Sequence, residues 1–180
     1  RLSHRPFGDK LMLRLGRLLA IFVAAVLYFT AVRHLTNLYA AEHRAFEIFT
    51  LTAGGTITML FWLGQVFVGG LAPLMVLFHP TFGKSAKAPV VASVLVVMGA
   101  FAQLYVIVIG GQAFPMPVFP GYEVSSGFFD GAVAAYSPRW PEVLLGLGGV
   151  AIALFITGLG AKILRILPTN LSDANVGLNR

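Results

Sequence analysis

Apolar and polar positions along this chain sort into four long apolar runs separated by short polar or proline-rich interruptions. The runs cover about 17–39 (RLLAIFVAAVLYFTAVRHLTNLY), 54–78, 89–111 and 141–167. Each offers at least ~20 mainly apolar residues, enough at ~1.5 Å per residue to cross a ~30 Å hydrocarbon layer. None alternates with the period of two that marks a membrane β-strand. The pattern predicts an all-α membrane protein, a bundle of four transmembrane helices. It is expected to comprise a basic segment 1–16, the spans within 17–167 with a long outer loop 112–140, and a tail 168–180.

Prolines mark the boundaries. Pro89 and Pro141 open runs, where a missing N–H costs little, and Pro80 and Pro168 follow run ends. Pro73 is interior and is expected to kink the second helix by removing one backbone hydrogen bond. Gly64, Gly69 and Gly70 on the second run suit close helix packing. The stretch between the third and fourth runs is too long for a simple connector, since most connections take ~4–6 residues. Rich in Pro, Gly and aromatics, it reads as an ordered cap on the membrane surface.

Composition agrees: 57% of the 180 residues are hydrophobic and 11% charged, with a mean hydropathy of +0.82. Soluble domains carry about a quarter charged residues. The net charge of +6 does not point to nucleic acid, because its distribution follows topology. The N-terminal segment through Arg17, the loop with Lys84 and Lys87, and the C-terminal segment hold ten Lys and Arg, against three (Arg33, Arg44, Arg139) on the opposite side. Acids run the other way, two against five. The positive-inside rule then puts both termini in the cytoplasm and the 40–53 and 112–140 loops outside. There is no cysteine, which excludes disulfides, thiolate-held zinc and cysteine-ligated iron–sulfur clusters within this chain. Any such cluster must sit in a partner. The chain begins Arg-Leu-Ser-His without a signal-peptide pattern, and is expected to be the C-terminal part of a longer protein.

Polar side chains within a bilayer are costly and therefore informative. The middles of the runs contain no ionisable acid, base or His, but they do contain Gln65, Gln103 and Tyr105. These either make interhelical hydrogen bonds or line a polar, water-assisted path. The densest cluster lies at the outer end of the first run: Arg33, His34, Thr36, Asn37, Tyr39, Glu42, His43, Arg44 and Glu47. A quinone headgroup site needs donors to two carbonyl oxygens and a group that exchanges protons near neutral pH, and His, Tyr and Glu supply these. Arg33, His34, Tyr39, Glu42 and His43 are the candidates for quinone contact or proton handling. The alternative is a solvated helix end with local ion pairs. No haem pair, metal site, nucleophile triad or phosphate loop is evident.

The run FAQLYVIVIGGQAFPMPVFPGYE, preceded by FWLGQVFVGGLAPLMVLF and followed by YSPRWPEVLLGLGG, resembles the C-terminal half of NrfD/PsrC-type membrane subunits, with their polysulfide-reductase-, HybB- and DsrP-like branches. The resemblance covers roughly 33–167 and is strongest at Ile109-Gly110-Gly111-Gln112, Phe114-Pro115 and Phe119-Pro120-Gly121. It implies a prokaryotic inner-membrane subunit with no redox cofactor of its own. Such subunits exchange electrons between membrane quinone or menaquinone and an outward-facing, ferredoxin-like iron–sulfur subunit beside a catalytic oxidoreductase subunit. Some are thought to couple this to proton movement. Gln112, Phe114, Pro115, Phe119 and Tyr122 would then dock the partner. The departure is length: members have roughly eight to ten helices, and their quinone site is associated mostly with an N-terminal bundle absent here. A purely structural anchor or assembly subunit is the second possibility, and half of a transporter the third.

Overall fold

The structure, a computed structural model, describes residues 7–115, 131–164 and 170–174. Among the described residues, four helices are long and apolar enough to cross a membrane: α1 (Asp9–Tyr39), α3 (Thr56–Phe78), α4 (Ala88–Ala113) and α5 (Trp140–Ile163), with a short helix α2 over 44–53. Each falls on a predicted apolar run. α1 starts at Asp9 rather than Arg17. Apolarity sets where a helix enters lipid, not where it begins, and an acid in the first turn suits the helix dipole. The segment expected as an outer loop at 40–53 is helical over 44–53. Of the loop 112–140, residues 116–130 lie outside the described residues.

Residues 9–134 form one compact unit. Within it α1, α3 and α4 pack through small residues. A Cβ on Gly69 would come within 2.7 Å of Gly99 Cα, and one on Gly64 within 2.5 Å of Ala102 Cβ. Only glycine lets the two backbones approach this closely. At the other end of the helices, Gly16 on α1 lies against Pro89 on α4. Flanking side chains such as Ile21, Phe22 and Phe29 are exposed, as lipid-facing positions require.

α3 is wound as a wide π-helix over Leu60–Leu71 and returns to an α-helix at Ala72–Phe78. Buried Pro73 lies just beyond the wide stretch, where its missing N–H removes one α-type bond. Shorter π-turns occupy Phe49–Ala53 and Val106–Gly110. All three border one apolar cluster of Phe49, Ile57, Phe61 and Val106, with Phe46, Tyr105 and Phe114 packed against it. The turn from α2 into α3 passes through Gly55, whose φ of +54° favours glycine. Thr58 Oγ1 fastens that turn, accepting from Gly54 N–H at 2.9 Å and donating to Phe49 O at 3.1 Å.

The second unit comprises 1–8 and 135–180. α5 opens with Pro141 in its first turn, and Glu142 accepts hydrogen bonds from Arg139 N–H at 3.0 Å and Tyr136 O–H at 2.5 Å. Phe7 forms a single parallel bridge with Leu171, supported by Gly8 N–H to Leu171 O at 2.9 Å.

Candidate functional site

The predicted polar cluster resolves into a buried core and an exposed fringe. The chain leaves α1 at Tyr39, turns through 40–43, and α2 folds back beside the helix it has just left. Ala45, Phe46, Ile48 and Phe49 make α2 largely apolar, and Glu47 lies among them. This return brings Glu47 onto the side of α1 that carries His34 and Asn37. The carboxyl group is fully buried. Its Oε2 is hydrogen-bonded to His34 Nδ1, and its Oε1 accepts from Asn37 Nδ2 at 2.7 Å. When the carboxylate is ionised it can only accept, and the imidazole proton then sits on Nδ1. His34 is itself buried, with its ring edge-on to Phe61 at 4.7 Å and 71°.

Arg33, Tyr39, Glu42 and His43 are all exposed, and Tyr39 is 93% so. Of the residues singled out for quinone contact or proton handling, the structure draws His34 alone into the buried constellation. Its two partners, Asn37 and Glu47, were visible in the cluster without standing out. The signal that could have raised Glu47 is its setting: a lone acid inside Ala45-Phe46-Glu47-Ile48-Phe49 either faces solvent alone or is buried with a partner.

The polar-path residues separate. Gln65 on α3 and Gln103 on α4 border one cavity of about 160 Å³, with Thr30 of α1, one turn before His34, on its wall. Gly69, Gly70 and Gly99 provide part of its lining. Tyr105 instead packs against the apolar cluster. Among the docking candidates, Gln112 is exposed. Phe114 packs edge-on to Phe46 and tilted against Phe49, at centroid distances of 5.6 and 5.3 Å. Half-buried Pro115 follows it, and the returning chain donates Ala134 N–H to Ala113 O at 2.8 Å. Phe119 and Tyr122 lie outside the described residues. Among those described, no three His, Asp or Glu side chains come together as a metal site.

A small-residue helical bundle with a buried imidazole–carboxylate pair at one end defines an integral membrane protein. Residues 5–116, more than half of the chain, match the polysulphide reductase NrfD family. The chain belongs to that family. The match begins upstream of 33, takes in the His34–Glu47 constellation, and ends before Phe119. The chain is 29% identical over 170 residues to an Hdr-like menaquinol oxidoreductase integral membrane subunit of Archaeoglobus fulgidus, covering 93% of this chain and 43% of that one. It is 30% identical over 165 residues to a putative dimethyl sulfoxide reductase membrane subunit of Halobacterium salinarum, covering 86% and 36%. It is 28% identical over 151 residues to a selenate reductase subunit of Mesobacillus selenatarsenatis, covering 82% and 34%. The chain therefore spans less than half the length of each relative. No solved structure gives a significant match.

Proposed function

We propose that this chain is part of a quinone-reactive membrane subunit of a respiratory oxidoreductase. It would exchange electrons between the membrane quinone pool and an iron–sulfur partner at the outer face. The observation that carries this reading is the buried His34–Glu47–Asn37 constellation at the end of α1. Relatives named as a menaquinol oxidoreductase subunit and as reductase subunits support it.

Quinol oxidation releases two electrons and two protons. The electrons must leave to the partner, since this chain has no cysteine to hold a cluster. The protons need a base. His34 commits Nδ1 to Glu47, which leaves Nε2 as the ring's proton acceptor toward a quinol hydroxyl. As Nε2 takes that proton, the Nδ1 proton can pass to Glu47; release of one proton from the pair restores Nδ1–H with Nε2 open, and the second quinol proton follows the same course. Asn37 fixes the carboxyl group so that Oε2 stays on the imidazole. Quinone reduction runs the same steps in reverse. The cavity bordered by Gln65, Gln103 and Thr30 offers a route for water, and hence protons, deeper into the bundle. The charge asymmetry supports cytoplasmic termini and an outer long loop, and the Phe7–Leu171 bridge fits termini on one side.

A structural-anchor role has one observation in its favour: the same three side chains tie α2 to α1. Steady-state oxidation of a menaquinol analogue by the complete complex separates the two. Glu47→Gln and His34→Gln should assemble and lose activity by about 10²–10⁴-fold, the usual contribution of a positioned acid–base group. Full activity in both variants would leave only the anchor role.

A further inference from the structure

The opposite end of the 9–134 unit carries a second polar feature that the quinone reading does not use. A cavity of about 280 Å³ opens between the start of α1, the end of α3, the turn Phe82–Lys84 and the start of α4. Three of its lining residues are basic or can become so, each from a different part of that frame: Arg17, His79 and Lys84. Among the described residues, no Asp or Glu lines it. His79 Nδ1 accepts backbone N–H groups from Phe82 at 3.1 Å and Thr81 at 3.3 Å. The neutral ring therefore carries its proton on Nε2, which adds a fixed donor to two cationic ones. The remaining wall is apolar, with Leu77, Phe78 and Pro89. Pro89 also borders a second hollow of about 340 Å³ formed by α1 and α4, whose lining is apolar except for Ser93.

We infer that this cavity is a binding site for the phosphate headgroup of an anionic phospholipid, with an acyl chain lying in the apolar hollow beside Pro89. Arg17 and Lys84 supply charge, and His79 supplies a directed hydrogen bond. A basic recess between transmembrane helices, at the level where a helix meets the headgroups, has the chemistry such lipids need. The adjoining apolar hollow favours a lipid over a free phosphate. Gly16 against Pro89 and Gly83 against Leu77 O hold the frame close, since a Cβ at either would clash at 2.8 or 2.4 Å.

The test is lipid retention by the full-length subunit in its complex, delipidated in detergent and titrated with phosphatidylglycerol or phosphatidylcholine, then read by native mass spectrometry. The wild type should retain phosphatidylglycerol on the order of tenfold better, the scale expected from one or two cations near an anionic surface. Arg17→Gln/Lys84→Gln should abolish the preference, and Arg17→Lys/Lys84→Arg should keep it. Arg14→Gln/Lys87→Gln, which removes the same charge outside the cavity, should also keep it. Equal loss in both Gln pairs would overturn the site in favour of diffuse surface charge, as would no preference in the wild type. Displacement of bound lipid by millimolar inorganic phosphate would overturn the lipid assignment. If the Arg17/Lys84 Gln pair fails to assemble, Lys84→Gln alone, at an exposed turn position, should show a partial loss, and an unchanged preference there would refute the site.

Discussion

Glu47→Ala leaves two donors, His34 Nδ1 and Asn37 Nδ2, facing the space vacated by a fully buried carboxyl group. Leaving a buried donor without its acceptor costs about 1–3 kcal/mol, because the surviving imidazole keeps its desolvation penalty without compensation. The Asn37 bond belongs to the same network and adds less, since Asn37 is only half-buried and can turn to water. Glu47→Gln keeps the volume and one acceptor. Its oxygen can hold Asn37 while its amide donates to a His34 ring re-protonated on Nε2, so its cost should be nearer ~1 kcal/mol. His34→Phe/Glu47→Leu removes both polar partners and keeps an aromatic edge on Phe61, so it should recover most of the stability lost in Glu47→Ala. Equilibrium unfolding of the full-length subunit in mixed micelles would rank the three. Two results would refute the reasoning: a loss below ~1 kcal/mol for Glu47→Ala, or a double variant as unstable as Glu47→Ala. Either would mean that the pair does not hold α2 against α1 through a buried polar contact.

Two further outcomes follow from the packing. Gly99→Val should separate α3 from α4, because a Cβ there would lie 2.0 Å from Gly69 Cα and backbone cannot yield as a side chain can; a loss of about 1–3 kcal/mol or more is expected in the same unfolding assay. Gly55→Ala should cost on the order of 1–2 kcal/mol from its positive φ alone, since nothing lies within 4 Å of the new Cβ, and its thermal midpoint should fall without change in quinol activity.

The two ends of the molecule were legible to different degrees. At the basic end, Arg17, Lys84 and Pro89 stood out as charge and punctuation, but nothing in their spacing said that they border one recess. At the other end, the cluster from Arg33 to Glu47 was visible as a place. Which of its members meet was not. A helix relates residues three or four apart, whereas His34 and Glu47 are separated by a turn and a change of helix. The exposed members, Tyr39 and His43 among them, carry the same side-chain chemistry as the buried ones, so residue type alone could not rank them.

What the sequence by itself determined is the membrane character of the chain, its four spans and the proline-marked starts of the last two. A long apolar run has no other stable place than lipid, and that preference is local to each run. Only the tertiary structure decided the contents of the interior. The fold-back of α2 buried Glu47 and gave it His34 and Asn37. The close approach of Gly69 and Gly99 drew Gln65 and Gln103 to one cavity while Tyr105 joined the apolar cluster. Wide π-turns in α2, α3 and α4 shifted which side chains face inward. A helical period read along the chain cannot anticipate that shift, because it arises from packing between helices and not from any one of them.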